Sequence, residues 1–115
     1  MKDGCIFCSI AGKKIPASIV YEDEGVIAFN DIKPEAPVHI IIIPKKHIER
    51  VSELEKNDSE LISRMVLAAV KIADNNSLAG PGYRLVINCN EDAGQEVFHL
   101  HMHILGGRKM GWPPG

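Results

Sequence analysis

Three of the five histidines in this chain fall on alternate positions, in the run His99-Leu100-His101-Met102-His103. In an extended segment residues i, i+2 and i+4 project from one face, so this spacing predicts a row of imidazoles with Leu100, Met102 and Ile104 turned the other way. Imidazole is the side chain whose ordinary pKa lets it serve as nucleophile and proton carrier near neutral pH. The central ring, His101, has a neighbour on each side to orient it and is the candidate nucleophile. At about 3.4 Å per residue the outer rings stand roughly 14 Å apart, too far to share one small site, so the row must serve more than one purpose. A plain solvated sheet face is the alternative, but alternation this regular beside a glycine-containing loop favours a site.

Two further groups bear on that site. Gly94-Gln95-Glu96-Val97 places backbone N–H groups in a turn of the kind that receives phosphate oxygens, and Asn88 is either a donor to the same place or an ordinary turn cap. Cys5 and Cys8 form a C-x-x-C pair in a chain with an odd cysteine count, which argues against a disulfide framework. Metal binding stands ahead of redox chemistry, because the redox motif belongs at the mouth of a βαβ unit and none is present. A closed tetrahedral zinc site would need two more ligands, for which His47 and His99 are the candidates. Cys89 reads as a small residue at a strand end.

Something has to hold these residues in place. Cys8 to Gly12 predicts a short helical turn, and Ile19–Glu22 with Val26–Phe29 predicts a hairpin across Asp23-Glu24-Gly25. Asp31 to Pro37 contains two prolines and predicts an ordered loop leading into Val38–Ile43, a β-branched run expected as a central strand buried on both faces and closed by Pro44. Asn57-Asp58-Ser59-Glu60 resembles a capping box ahead of the one long helix, with Leu61, Met65, Ala68 or Ala69, and Ile72 as its apolar stripe. Tyr83 to Asn88 predicts a strand, Glu91 to Gln95 a loop and Val97 to Leu105 a final strand. Several antiparallel strands with one packed helix make an α+β domain.

The 115 residues, 45% hydrophobic, suit a single domain over 1–115. A net charge of -2 gives no field for extended nucleic acid, although a local phosphate site remains compatible with it. No apolar stretch approaches the roughly 20 residues of a membrane span, and the start lacks a secretory signal, so the expected compartment is the cytoplasm.

The run His99 to Leu105, preceded by Gly94-Gln95-Glu96-Val97-Phe98, resembles the signature of the histidine triad (HIT) family, in which three histidines alternate with apolar residues. Ile15-Pro16-Ala17, Tyr21-Glu22-Asp23, Ala28 to Ile32 and His39 to Ile48 are similar to the same family. Gly106-Gly107-Arg108 and Trp112-Pro113-Pro114-Gly115 resemble its nucleotide-binding branch. The resemblance implies a HIT-like fold of about five antiparallel strands, one long helix and a short N-terminal helix. It implies a homodimer that hydrolyses purine nucleoside phosphoramidates, such as derivatives of AMP or GMP, with His101 attacking the α-phosphorus to form a nucleotidyl-histidine that water cleaves.

By the same likeness, His39 and His103 orient the nucleophile and contact phosphate, while Asn88, Gly94, Gln95 and Val97 make phosphate-side contacts. Asp31 holds the ribose hydroxyls, and Phe29 and Ile32 line the base pocket. Cys5, Cys8, His47 and His99 are similar to a structural zinc site found in some bacterial members; no organic cofactor is implied. At position 96 some members carry Ser, a donor to the leaving group, whereas ionised Glu96 only accepts, so leaving-group preference stays open. The competing readings are a dinucleoside polyphosphate hydrolase of the same family, a nucleotide-binding interaction module with incidental activity, and a zinc-stabilised scaffold.

Overall fold

The β-branched run beginning at Val38 forms β3 (Val38–Pro44), the middle strand of the molecule. In the computed structural model, which describes residues 2–115, β3 pairs antiparallel with β2 (Val26–Asn30) on one side and β5 (Met102–Gly106) on the other. The edge strands β1 (Ile19–Glu22) and β4 (Tyr83–Val86) complete a five-stranded antiparallel sheet in the order β1-β2-β3-β5-β4. Alternate positions of β3 feed two separate cores, which is why the strand is continuously apolar rather than alternating. Ile40 and Ile42 join Met102 and Ile104 under the long helix α2 (Ser59–Asn75), whose buried stripe is Met65, Ala68, Ala69, Ile72 and Ala73. Ile41 and Ile43 face the other way, packing with Ile27, Phe29 and the short helix α1 (Ile6–Ala11).

This is the α+β architecture that the sequence predicts, with four local differences. α1 begins at Ile6, earlier than the turn expected from Cys8, so that Cys5 caps it and Cys8 lies one turn on. The capping box involves Glu55 and Asp58 in a 3-10 turn (Lys56–Asp58), not Asn57 and Glu60. There Asp58 accepts from the Glu55 N–H at 3.0 Å and from Lys46 at 2.9 Å. A one-turn helix, α3 (Asn90–Ala93), occupies part of the expected loop.

The fourth difference is the largest. The last strand begins at Met102 instead of Val97, so His99 and His101 precede the regular ladder. Continuing it would place Leu100 opposite Pro44, which has no N–H to offer. The Leu100 N–H instead donates to the Ile48 carbonyl at 2.6 Å. Side chains still alternate through this stretch, because Leu100, Met102 and Ile104 are all in the α2 core. No helix among the described residues is long and apolar enough to cross a membrane.

Ile42 is fully buried at the centre of the larger core, where truncation leaves a cavity that the sheet cannot close. Ile42→Ala is expected to lower stability by about 2–5 kcal/mol, read as a lower urea midpoint with unchanged slope.

Candidate active site and metal cluster

An open cleft of about 700 Å3 lies on the face of the sheet that carries α1. His39 and Ile41 from β3 and His103 from β5 contribute to it, together with His101 just ahead of β5. Phe7, Phe29 and Ile32 supply apolar surface, and Asp31 lies beside them. Ile32 is 93% exposed, so it offers a face to a bound molecule rather than to the core. Asn88, Gly94, Glu96 and Val97 complete the opposite side.

Gly94 ends α3 in the left-handed region, with φ +85, a conformation glycine adopts without strain. Gln95, expected on the phosphate side, donates its N–H to the Asn90 carbonyl at 3.0 Å, and its side chain is buried and does not line the cleft. Its Oε1 accepts from the Asn90 N–H at 2.9 Å, and its Nε2 donates to the carbonyls of Glu49 at 2.8 Å and Val97 at 3.1 Å. All of that bonding shapes the loop.

Backbone groups decide the proton positions on the rings. His101 Nδ1 lies 2.8 Å from the His99 carbonyl, which can only accept, so Nδ1 carries the proton and Nε2 keeps its lone pair. Burial pushes the His101 pKa down, with the His99 hydrogen bond and the Asp31 charge opposing it, so the ring favours its neutral, nucleophilic form. The edge of Phe7 packs on this ring, with centroids 5.1 Å apart and planes at 80°.

In the second chain of bonds, the Glu35 N–H donates to His39 Nδ1 at 3.0 Å, which places the His39 proton on Nε2. That atom is 2.8 Å from His103 Nδ1 and 3.4 Å from Asp31 Oδ2. His39 therefore donates to His103, whose own proton stands on Nε2. Burial, reinforced by His101 and His39, pushes the His103 pKa down to about 4 and keeps the ring neutral. Asp31, His39 and His103 sit close enough for a cation, but a protonated His39 Nε2 has no lone pair to give one.

The remaining histidines converge with the cysteines. His99 Nε2 is 2.7 Å from the Pro44 carbonyl, so it donates there and leaves a lone pair on Nδ1. Burial pushes the His99 pKa down to about 4. Its Nδ1 lies 3.5 Å from both Cys5 Sγ and Cys8 Sγ and 3.1 Å from His47 Nδ1, which is 3.3 Å from Cys8 Sγ. Ordinary zinc bond lengths in a tetrahedron give edges of about 3.6 Å between S and N and about 3.3 Å between N and N. The spacing and donor set thus fit a small tetrahedral metal ion, and His47, whose Nε2 is buried without a partner among the described residues, makes its polar contacts only toward this cluster. Burial raises the Cys5 thiol, a shift that a bound cation would oppose.

The sequence points to every side chain in these two groups. It gives no sign of Phe7 on the His101 ring, nor of the carbonyls of His99 and Pro44 and the N–H of Glu35 that set the tautomers.

A family model described as "Scavenger mRNA decapping enzyme C-term binding" matches residues 4–112. An uncharacterised HIT-like protein of Buchnera aphidicola is 50% identical over 110 residues, 96% of each chain. The crystal structure of a HIT family hydrolase from Legionella pneumophila superposes with TM-score 0.96 at 51% identity, covering 97% of this chain and 100% of that one. A histidine triad nucleotide-binding protein from Candida albicans superposes with TM-score 0.81 at 30% identity, covering 96% and 83%.

His103 titrates near 6.5 when exposed and near 4 in the fold, so below about pH 6.5 the unfolded chain takes up the proton more readily. Its contribution to stability is full above that value and is lost as pH falls toward 4. Urea unfolding from pH 7 to 4 should show a decline that is shallower in His103→Asn; parallel curves would reject the assignment.

Proposed function

Because this chain belongs to the histidine triad family, we propose that it hydrolyses purine nucleoside phosphoramidates, such as AMP or GMP derivatives, through a nucleotidyl group carried on His101. The observation that carries the reading is the 2.8 Å bond from His101 Nδ1 to the His99 carbonyl, which leaves Nε2 as a lone-pair nucleophile on a ring lining the cleft. The hydrolase from Legionella and the nucleotide-binding protein from Candida, both similar across nearly the whole chain, support it.

In this reading the base lies between Phe29 and Ile32, a slot that selects a purine by shape and stacking, and Asp31 accepts from the ribose hydroxyls. His101 Nε2 attacks the α-phosphorus; the P–Nε2 bond forms as the P–N bond breaks, the nitrogen leaving as the neutral amine with a proton taken from solvent. Water then attacks phosphorus, breaking P–Nε2 to give the nucleoside monophosphate, neutral His101 and a released proton. The positive charge the ring gains is met at Nδ1–H by the His99 carbonyl. His103 Nε2–H donates to a phosphoryl oxygen where negative charge builds, with Asn88 and the Gly94 turn on the same side. His39 holds the His103 tautomer. Glu96 is exposed at the cleft and accepts hydrogen bonds when ionised, which favours an amine leaving group and disfavours an anionic polyphosphate.

Cys5, Cys8, His47 and His99 are assigned to zinc in a closed, structural site, four protein ligands leaving none open for substrate. Cys5 and Cys8 at α1, His47 after β3 and His99 before β5 would hold the ion, and its binding would tie these three segments together. A homodimer in the cytoplasm belongs to the same family-based reading.

His101→Ala is expected to abolish turnover by several orders of magnitude while leaving the circular dichroism spectrum unchanged. After rapid acid quench, intact mass should show one added nucleotide on the parent protein and none on this variant. Full activity in His101→Ala would refute the nucleophile, and faster turnover of a diadenosine polyphosphate than of an adenosine phosphoramidate would favour the competing hydrolase. Elemental analysis should find close to one zinc per chain, reduced in Cys5→Ser; metal-free protein of equal stability would count against the site.

A further inference from the structure

The metal cluster and the nucleophile share a residue. His99 turns its side chain into the cluster while its backbone carbonyl receives the His101 Nδ1–H. That carbonyl lies in the stretch ahead of β5, where no ladder pairing holds the chain. What locates it is the His99 side chain, tied at Nε2 to the Pro44 carbonyl and at Nδ1 to the cluster, together with the Leu100 bond to Ile48.

A second connection runs through α1. Phe7 lies between Cys5 and Cys8 in the chain, and its ring touches both His101, at 5.1 Å, and His99, at 6.1 Å. A helix of six residues has no stability of its own, so its position follows from what its side chains hold. Cys8 is one of those side chains, and Cys5 caps the helix.

We propose that the Cys5, Cys8, His47 and His99 centre acts on catalysis as well as on folding: closed around a metal ion, it makes His99 and Phe7 positioning residues for the His101 imidazole. The inference rests on the role given to His101 under Proposed function. Asp31, His39 and Phe29 lie in the sheet and its adjoining loop, so an open centre leaves most of the nucleotide cleft in place while the nucleophile loses its alignment. The effect falls on formation of the nucleotidyl adduct more than on nucleotide affinity. Displacements of about 1 Å at a reacting group are worth up to a hundredfold in rate, so a loss of roughly tenfold or more is expected.

The test compares the full chain loaded with zinc and the same chain after chelation, with circular dichroism confirming the fold. Three quantities are measured: the single-turnover rate of adduct formation by intact mass, AMP affinity by calorimetry, and the 15N ring signals of His101. On metal removal, adduct formation should slow roughly tenfold or more, AMP affinity should stay within about threefold, and His101 should lose its single Nδ1–H tautomer signal. A folded, metal-free protein that forms the adduct at the loaded rate with unchanged His101 signals overturns the proposal. Should the metal-free chain fail to fold, Phe7→Leu in the zinc-loaded protein carries the test, with slower adduct formation and shifted His101 signals at unchanged metal content expected. Unchanged rate and signals there overturn it equally. Absence of any adduct on His101 in the loaded parent protein would instead bring down the functional reading itself, and this inference with it.

Discussion

The hydrogen bond from His101 Nδ1 to the carbonyl of His99 requires a local departure from regular structure, and much of the fold is arranged around that departure. A carbonyl inside the β3–β5 ladder would point at the neighbouring strand. The ladder stops at Met102, opposite Ile42, and two residues on β3 comes Pro44, whose missing N–H weakens any further pairing. The segment ahead of Met102 is thereby released, and the His99 carbonyl is free to accept from a side chain two residues on. Burial does the rest: with little water to stabilise an imidazolium, the ring keeps one proton, and the carbonyl determines where it sits.

The same rule governs the other rings with backbone partners. The Pro44 carbonyl draws the His99 proton to Nε2, and the Glu35 N–H drives the His39 proton away from Nδ1. His103 inherits its tautomer from His39. These assignments separate two chemistries on either side of Phe7: lone pairs converge beside the thiols, while one lone pair and one donor meet in the cleft. The two-sided nature of β3 makes this separation affordable in space, since Ile40 and Ile42 anchor the sheet to α2 while His39 and Ile41 serve the cleft.

Much of this was legible in the amino-acid order. The hairpin, the central strand and α2 follow from patterns whose physical cause is local, and the structure reproduces them with small shifts at their ends. Alternation of histidine with apolar residues correctly separates the core side from the site side at Leu100, Met102 and Ile104. It misplaces the start of the strand, because alternation reports which side is buried and says nothing about whether a partner N–H is present. Gln95 was hidden for a related reason: a glutamine beside a turn glycine looks the same whether it faces a ligand or bonds to Glu49 and Asn90. Cys5, Cys8, His47 and His99, which converge in one cluster, are conspicuous as residue types. The carbonyls and N–H groups that orient them occur at nearly every position and leave no trace in composition.

That anonymity bears on how such a site tolerates change. A carbonyl cannot be deleted by replacing the side chain that follows it, so the atoms that set the tautomers of His99, His101 and His39 survive substitution at their own positions. They are vulnerable to changes of chain length. One residue inserted or removed between Pro44 and His47, or between Gln95 and His101, would carry the wrong peptide group past the wrong ring while leaving every histidine and cysteine in place. Drift within this architecture should therefore be as strict about the length of the 44–48 and 95–101 segments as about Pro44 and the histidines they contain.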